Sequence, residues 1–365
     1  MNRMQNYSFL PLHGGNAPKW LFGRMVKLSS LIANEIIDEY GADEFVKRVA
    51  DPYWFQALAC AVGYDWHSSG TTTVTMAALK QALDGYSDIY IAGGKGKTGL
   101  KTPDDILKGA DLLSTNNAEQ LVKYSRITAK IDSSLIYDNF GIYHHTFVFS
   151  KDKWSVVQQG MFNKGNTAVR FQIFCDNIDK NDISCETNSA VASDLSNNTV
   201  DLTFKDNSEI KAKSLDMVND NLNEIVNFGK TYNLPGRHEI IPSCDLSKQA
   251  IKLLEYANDM KPENYNDLLS IKGIGRKTLK SVALISSLIY KNEIYERDPV
   301  LYSYNLGGKD GIPYRINLKD YDNVISSMKE IIDNAKIGPQ DRGKVLSRLS
   351  KDLEEKYLRL NKFVG

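Results

Sequence analysis

The stretch that decides most about this chain is Leu268–Leu279, which reads Leu-Leu-Ser-Ile-Lys-Gly-Ile-Gly-Arg-Lys-Thr-Leu. Apolar residues end one predicted helix, and a second helix is predicted to begin directly after the second glycine. Between them, Gly273 and Gly275 allow backbone angles that other residues resist. Ile274 lies between the glycines and is expected to fill the space between the helices. The pattern predicts two helices joined by a tight turn within residues 266–290.

The same turn is rich in basic residues and suits an anionic ligand. The first amides of a helix have no partner within it, and the helix dipole places partial positive charge at the same end. Glycines let a phosphate approach the backbone closely. The pattern favours contact with a nucleic-acid backbone, which carries no sequence information; the alternative is a hairpin that only packs helices. The residues assigned to this contact are Lys272, Gly273, Ile274, Gly275, Arg276, Lys277, Thr278 and Lys280.

This stretch resembles the helix-hairpin-helix of endonuclease-III-type base-excision glycosylases. The resemblance implies that Lys277 is an amine nucleophile that forms a Schiff base with the sugar, and that Asp298 supports it. The four cysteines match no iron–sulfur cluster, contain no Cys-x-x-Cys pair and suggest no disulfide framework. The alternative interpretation of Lys277 is an ordinary phosphate contact.

A second glycine-rich segment follows a short predicted strand at residues 86–92. The phosphate loop of ATPases needs a glycine at position 91, which is occupied by Ile91, so the ATPase motif is absent. A loop of glycines and lysines after a strand can still wrap a phosphate of DNA or RNA. The alternative is a plain flexible turn. The residues assigned to this loop are Gly94, Lys95, Gly96, Lys97 and Thr98.

Polar side chains in the N-terminal and central parts suggest a divalent-metal site for Mg²⁺ or Mn²⁺. Metal-dependent nucleases hold the ion with carboxylates and often place a lysine or histidine near the attacking water. Adjacent histidines on a strand face opposite sides, so at most one of His144 and His145 faces such a site. The alternative is a hydrogen-bonded polar set at a domain joint. The candidate ligands are Asp65, His67, His144 and His145, and the candidate catalytic residues are Lys130, Asp132, His145, Gln158, Lys277 and Asp298.

Six segments rich in glycine, histidine or other polar residues together resemble the archaeal and bacterial family known only as domain of unknown function 763. The resemblance covers nearly the whole chain. It implies a two-part protein, with a characteristic N-terminal domain followed by a helix-hairpin-helix, and it supplies no activity. The segments are 12–15, 65–70, 92–98, 144–147, 156–161 and 307–311.

The apolar periodicity along the chain predicts an α+β fold that is mostly helical. Strand-like segments near 142–149, 154–159 and 167–174 predict a small central antiparallel sheet, and 200–204 with 209–212 suggests a further hairpin. Three parts are expected: a helical N-terminal domain at 1–140, a β-rich segment at 141–215 packed on it, and a helical C-terminal domain at 216–365.

The bulk composition narrows the classes of function. Lysine plus arginine and aspartate plus glutamate both number 45, which argues against a protein that coats nucleic acid non-specifically but allows a local basic site. No apolar run is long enough to span a membrane, so a cytoplasmic location is expected. The favoured function is a DNA-processing, metal-dependent nuclease, with DNA favoured over RNA as partner. The alternatives are a glycosylase or lyase that uses Lys277 and Asp298, and a non-enzymatic DNA-binding adaptor.

Overall fold

The structure is a computed structural model of the chain. It describes residues 19–63, 70–137, 140–162, 168–176, 183–184, 188–192, 199–231, 246–297, 318–335, 337–339 and 342–347.

The centre of the protein is a five-stranded antiparallel sheet with the strand order β1-β2-β3-β4-β5. A β-bulge between Ile142 and His144 interrupts the register of β2 against β3. Two further short strands pair with each other and bring residue 199 next to residue 297. The strands are β1 (Tyr90–Lys95), β2 (Phe140–Phe149), β3 (Trp154–Phe162), β4 (Ala168–Cys175), β5 (Asn188–Ala192), β6 (Thr199–Val200) and β7 (Glu296–Arg297).

Thirteen α-helices are defined among the described residues, and a π-helical turn at Ile131–Leu135 continues one of them. Residues 342–347 are also helical. The helices are α1 (Lys19–Tyr40), α2 (Ala42–Val49), α3 (Pro52–Val62), α4 (Gly70–Ala82), α5 (Lys97–Leu100), α6 (Thr102–Leu113), α7 (Ala118–Lys130), α8 (Ser208–Asp220), α9 (Leu222–Thr231), α10 (Lys248–Met260), α11 (Tyr265–Ser270), α12 (Arg276–Tyr290) and α13 (Leu318–Asn334).

The sheet lies between two layers of helices. One face packs against α1–α4 and α13 through a core that includes Val148 and Ile331. The other face packs against α6 and α7, and α8–α12 pack on these helices and on the π-helical turn, in one core that includes Trp154 and Val282. Because β-strands alternate their side chains between two faces, β1, β2, β3 and β4 each supply apolar residues to both cores. Both faces of the sheet are therefore covered, although the strands are antiparallel.

A buried arginine joins the sheet to the first helical layer. Arg170 on β4 is 1% exposed. It donates from Nη1 to Oε1 of Gln56 at 3.1 Å and lies over the ring of Phe55 at 4.6 Å. Gln172, two residues further along β4 and on the same face, donates to the carbonyl oxygen of Val49 at 2.9 Å. Side-chain donors thus satisfy backbone and amide groups where β4 meets α2 and α3, as buried polar groups require.

The prediction of an α+β fold with a central antiparallel sheet is confirmed. The expected hairpin strand at 209–212 is wrong, because these residues belong to α8 and their apolar side chains repeat at helical spacing, with Ile210 and Met217 buried on one face. The division into three domains stays a prediction. Strand β1 lies inside the part assigned to the N-terminal domain, and α13 packs on α1 and α3. Within the described residues, no helix combines the length and apolar character needed to cross a membrane.

Candidate nucleic-acid interface

Helices α11 and α12, with the turn Ile271–Gly275 between them, form a hairpin of residues 265–290 that is seated on the core. Asn264 caps α11 by accepting a hydrogen bond from the amide of Asp267 at 3.0 Å. Ile274 is 1% exposed and belongs to the same core cluster as the sheet. This burial agrees with the prediction that Ile274 fills the space between the two helices.

The turn needs glycine at position 273. Gly273 has φ +95°, a left-handed conformation that residues with a Cβ rarely adopt. A Cβ there would also come within 3.0 Å of Cδ2 of Leu253 on α10. The amide of Ile274 donates to the carbonyl oxygen of Ile271 at 3.3 Å and closes the turn. The backbone of the turn is therefore held in one shape by its own hydrogen bond and by α10.

The outer side of the turn is basic and exposed. Lys272 and Lys277 are exposed, and Gly273 between them is exposed as well. Helix α12 begins after Gly275 with no side-chain cap. Lys280, one turn further on, lies over the ring of Tyr137 at 5.2 Å. These residues place helix amides and two lysine side chains on one solvent-facing edge.

Two of the predicted site residues hold the hairpin in place. Lys130 at the end of α7 donates from Nζ to the carbonyl oxygens of Leu269 and of Ile271, the latter at 2.7 Å. Burial lowers the pKa of Lys130. Arg276 donates from Nε to the carbonyl oxygen of Ser133 at 2.7 Å and from Nη2 to that of Phe140 at 2.8 Å. Both cations thus neutralise backbone dipoles at the joint between the hairpin, the π-helical turn and β2.

Three of the predicted catalytic residues meet in one buried chain of hydrogen bonds. Oγ of Ser125 lies 2.9 Å from Nε2 of His145, and Nδ1 of His145 lies 2.8 Å from Oε1 of Gln158. Nε2 of Gln158 donates to Oδ2 of Asp132 and to the carbonyl oxygen of Thr128. Because an amide oxygen only accepts, His145 carries its proton on Nδ1 and accepts from the serine hydroxyl on Nε2.

This chain is closed to solvent in the structure. Asp132 and Gln158 are fully buried, and His145 is 7% exposed. Burial lowers the pKa of His145 to about 4, although the hydrogen bond that His145 donates to Gln158 acts in the opposite direction. The neutral imidazole joins a hydroxyl to an amide by hydrogen bonds and so fixes the orientation of both side chains. Because the chain is buried, a phosphodiester in solvent cannot reach it in this conformation.

His144 lies on the opposite face of β2, as strand geometry requires. It is 1% exposed, and neither ring nitrogen has a hydrogen-bond partner among the described residues. Burial, with smaller contributions from His145 and Lys95, lowers its pKa to about 3. No group of three or more His, Cys, Asp or Glu in the described part of the chain is arranged to hold a metal ion. Three of the predicted site residues, Asp65, His67 and Asp298, lie outside the described residues.

The second predicted phosphate site, residues 94–98, is not a continuous loop, because β1 extends to Lys95 and the short helix α5 begins at Lys97. We call residues 93–101, which contain this junction, the glycine–lysine loop. Gly93 has φ +82°, and a Cβ there would lie 2.4 Å from the carbonyl oxygen of His145. Nζ of Lys80 donates to the carbonyl oxygen of Gly93 at 2.9 Å. The Gly93 amide donates at 3.1 Å to Oδ2 of Asp105, which also pairs with Lys80 at 2.7 Å. The start of the loop is therefore fixed, and the exposed Lys95, Lys97 and Thr98 follow it.

Sequence reasoning missed Ser125 and Thr128, which complete the buried chain. Together with Asp132 they fall at intervals of three and four residues, so on a helix they share one face. That helical spacing could have indicated that the three polar side chains lie close together. No local pattern identified Lys130 and Arg276 as supports for the hairpin, because their acceptors are carbonyl oxygens more than 130 residues away in the chain.

Comparison with known proteins yields one result. The sequence model of the family described as "Protein of unknown function (DUF763)" matches residues 6–316. No curated protein and no solved structure matches the chain.

Proposed function

The chain belongs to the DUF763 family, and we propose that it binds the phosphate backbone of nucleic acid, with DNA preferred to RNA, through the turn of its hairpin. The observation that carries this proposal is the exposed turn itself. Lys272 and Lys277 are both exposed and lie on either side of two glycines, next to the start of α12, which has no side-chain cap. Helix amides, the helix dipole and the two ammonium groups all attract an anion at that position.

The supports beneath the turn strengthen the argument. Lys130 and Arg276 fix the hairpin by four hydrogen bonds to backbone carbonyls. The amides of the turn are consequently oriented before a ligand arrives, which reduces the entropy lost on binding. Lys272 and Lys277 supply long-range attraction, and the backbone of the turn supplies close contact with a phosphate oxygen.

The overall charge of the chain agrees with a local site. Equal numbers of acidic and basic residues do not attract nucleic acid over the whole surface. Affinity from a small number of phosphate contacts is modest and depends on salt. Backbone contacts of this kind position a strand without selecting its sequence.

The test is the salt dependence of binding to a fluorescent duplex, measured by anisotropy for the wild type and for Lys272→Ala and Lys277→Ala. Each lysine that neutralises one phosphate contributes about 0.9 to the slope of log K against log salt. We expect each variant to bind more weakly and to lower the slope by about that amount. Lys151→Ala is the matched control, because Lys151 is an exposed lysine in the turn between β2 and β3.

A slope that is the same in Lys272→Ala, Lys277→Ala and Lys151→Ala would contradict the proposal, since the hairpin lysines would then behave like any surface lysine. Single-stranded DNA and RNA of the same sequence are measured in parallel. Tighter binding of RNA than of DNA would contradict the preference for DNA.

Catalysis is the finer part of the proposal and has two forms. Metal-dependent hydrolysis of the phosphodiester bond rests on the sequence pattern of Asp65 and His67 with one of His144 and His145, which face opposite sides of β2, and with Mg²⁺ or Mn²⁺. Lyase chemistry rests on the exposed position of Lys277 beside the proposed phosphate site, from which its amine would attack C1′ of an abasic sugar and form a Schiff base with loss of water.

One set of incubations separates the two forms. Labelled duplex and abasic DNA are incubated with Mn²⁺ or with a chelator, and abasic reactions are also treated with borohydride, which reduces a Schiff base to a stable amine. Cutting that needs Mn²⁺ and survives Lys277→Arg supports hydrolysis. A trapped adduct that forms in chelator and disappears in Lys277→Arg supports the lyase, because arginine keeps the phosphate contact but is not a Schiff-base nucleophile. Binding without either product supports an adaptor that only holds DNA.

A further inference from the structure

The glycine–lysine loop carries an apolar side chain in an unusual place. Leu100 is 83% exposed, more than any other large hydrophobic residue in the described part of the chain. The residues around it in sequence, Lys95, Lys97 and Lys101, are all exposed. A fully hydrated leucine gains free energy when it is removed from water, and the surrounding lysines select a partner of negative charge.

The loop that presents Leu100 has a fixed shape. A Cβ on Gly99 would lie 2.7 Å from the carbonyl oxygen of Gly94, so the two segments of the loop are in close contact. The amide of Gly96 donates to the carbonyl oxygen of Tyr143 at 2.8 Å and attaches the loop to β2. Leu100 is therefore carried by a segment whose backbone is held in place by these contacts.

The glycine–lysine loop and the hairpin are attached to the same end of β2. Arg276 of the hairpin contacts the carbonyl oxygen of Phe140, and the loop contacts the carbonyl oxygen of Tyr143, three residues further along the strand. Three residues of an extended strand span about 10 Å. The strand between these points is at least partly open to solvent, with Gly141 exposed and Ile142 and Tyr143 half-buried. A rise of about 3.4 Å per nucleotide along one strand makes this distance equal to about three nucleotide steps.

We propose that Leu100 is a wedge that enters a base step of duplex DNA, while the hairpin turn and the lysines of the glycine–lysine loop hold the backbone on either side of it. The inference rests on the proposed function of the hairpin and adds the form of the substrate. Apolar side chains that enter between base pairs unstack them partially and kink the duplex. Lysines on both sides of the leucine offset the close approach of phosphates that a kink produces.

Duplex DNA suits this surface better than a single strand does. Proteins that hold single strands stack the bases on aromatic side chains. Residues 93–101 contain no aromatic residue, and the neighbouring Tyr143 is half-buried, with its hydroxyl accepting a hydrogen bond from Gln159 at 2.5 Å. A leucine offers no flat ring on which a base can stack, but it does fill the gap of an opened base step. The favoured substrate is accordingly a duplex with a step that unstacks easily, such as a mismatch or a nick.

The test is the distortion of a duplex that carries 2-aminopurine at a mismatched step and a donor and acceptor dye at its ends. We expect the wild type to raise 2-aminopurine fluorescence and to shorten the distance between the dyes. Leu100→Ala should lose both signals and change affinity by less than about tenfold, because the burial of leucine is largely offset by the work of unstacking. Leu112→Ala is the matched control, since Leu112 is also an exposed leucine, 59% exposed on α6, and lies outside the loop.

The outcomes separate this inference from the proposed function. Loss of distortion in Leu100→Ala but not in Leu112→Ala, with binding that still depends on Lys277, supports both. Binding that depends on Lys277 with equal distortion in the two leucine variants overturns the wedge and leaves the hairpin proposal standing. Binding that ignores Lys277 but falls in Lys97→Ala overturns the hairpin proposal. Leu100-dependent binding to vesicles of phosphatidylserine and phosphatidylcholine, with no duplex binding, would overturn the assignment to DNA.

Discussion

Replacing His144 by leucine is expected to make the stability of the protein less sensitive to acid. The imidazole is buried on β2, and neither ring nitrogen has a hydrogen-bond partner among the described residues. Burial lowers its pKa from 6.5 to about 3. In the unfolded chain the same group titrates near 6.5. Between these two values the unfolded state binds a proton that the folded state does not bind.

The sign and size of the effect follow from this difference. A proton bound only by the unfolded chain stabilises that state, so the contribution of His144 to stability falls as the pH drops below 6.5 and levels off below the folded pKa. At pH 5 the loss is about 2 kcal/mol relative to pH 7, from 1.36 kcal/mol per pKa unit. Leucine has no such proton, and its side chain needs no hydrogen-bond partner. His144→Leu should therefore lose about 2 kcal/mol less than the wild type between pH 7 and pH 5.

The measurement is the free energy of unfolding in urea at pH 7 and pH 5, for the wild type and for His144→Leu. Thr146→Val is the control, because Thr146 lies two residues along the same face of β2, is buried, and does not titrate. Its substitution is expected to alter stability by a similar amount at both pH values. If His144→Leu and the wild type lose equal free energy between pH 7 and pH 5, the histidine is not held neutral by burial and the reasoning fails.

Three further predictions, each measured by urea unfolding, concern the start of the glycine–lysine loop, the attachment of the hairpin and the buried chain of hydrogen bonds. Gly93→Ala should lower the free energy of unfolding by about 2–5 kcal/mol, because a left-handed φ and an overlap of the new Cβ with the carbonyl oxygen of His145 act together. Gly96→Ala, with open space at its Cβ, should lose only the part that comes from the left-handed φ. Equal losses in the two variants would contradict the overlap. Arg276→Ala should cost about 2–4 kcal/mol through the loss of two charged hydrogen bonds, and an unchanged stability would show that these bonds do not hold the hairpin. Gln158→Leu should cost about 1–3 kcal/mol, since it removes a donor from the buried carboxylate of Asp132; a stabilised variant would contradict that role.

Much of the local structure was accessible from the sequence. Two glycines around an isoleucine predicted the turn between α11 and α12, and alternating β-branched and aromatic residues predicted β2, β3 and β4. The opposite orientation of His144 and His145 also followed from strand geometry alone. These features depend on backbone angles and on side-chain period, both of which are set by neighbours in the chain. The segment at 209–212 shows the limit, because a short apolar pattern fits a strand or a helix equally well.

The roles of the polar residues depended on the tertiary structure. The sequence predicted a catalytic role for Lys130 and a phosphate contact for Arg276, whereas the fold directs both towards carbonyl oxygens at the joint with the hairpin. His145 and Asp132 read as metal or water ligands, and the fold places them in a buried chain with Ser125. The physical reason is the same in each case. A buried carbonyl or carboxylate must find a donor, and the donor nearest in space is decided by packing between segments that are far apart in sequence.

The sequence by itself determined that the chain has an α+β fold, a glycine-bounded basic turn and a glycine–lysine loop, because each of these is a local pattern of side-chain size, charge and backbone freedom. Only the tertiary structure brought the turn and the loop to the same end of β2 and left Leu100 exposed between lysines. That arrangement depends on strand pairing between β1 and β2 across about fifty residues of chain and on the packing of the hairpin against the sheet layer. Contacts of such long range follow from the burial of apolar surface over the whole molecule, which no short stretch of sequence specifies.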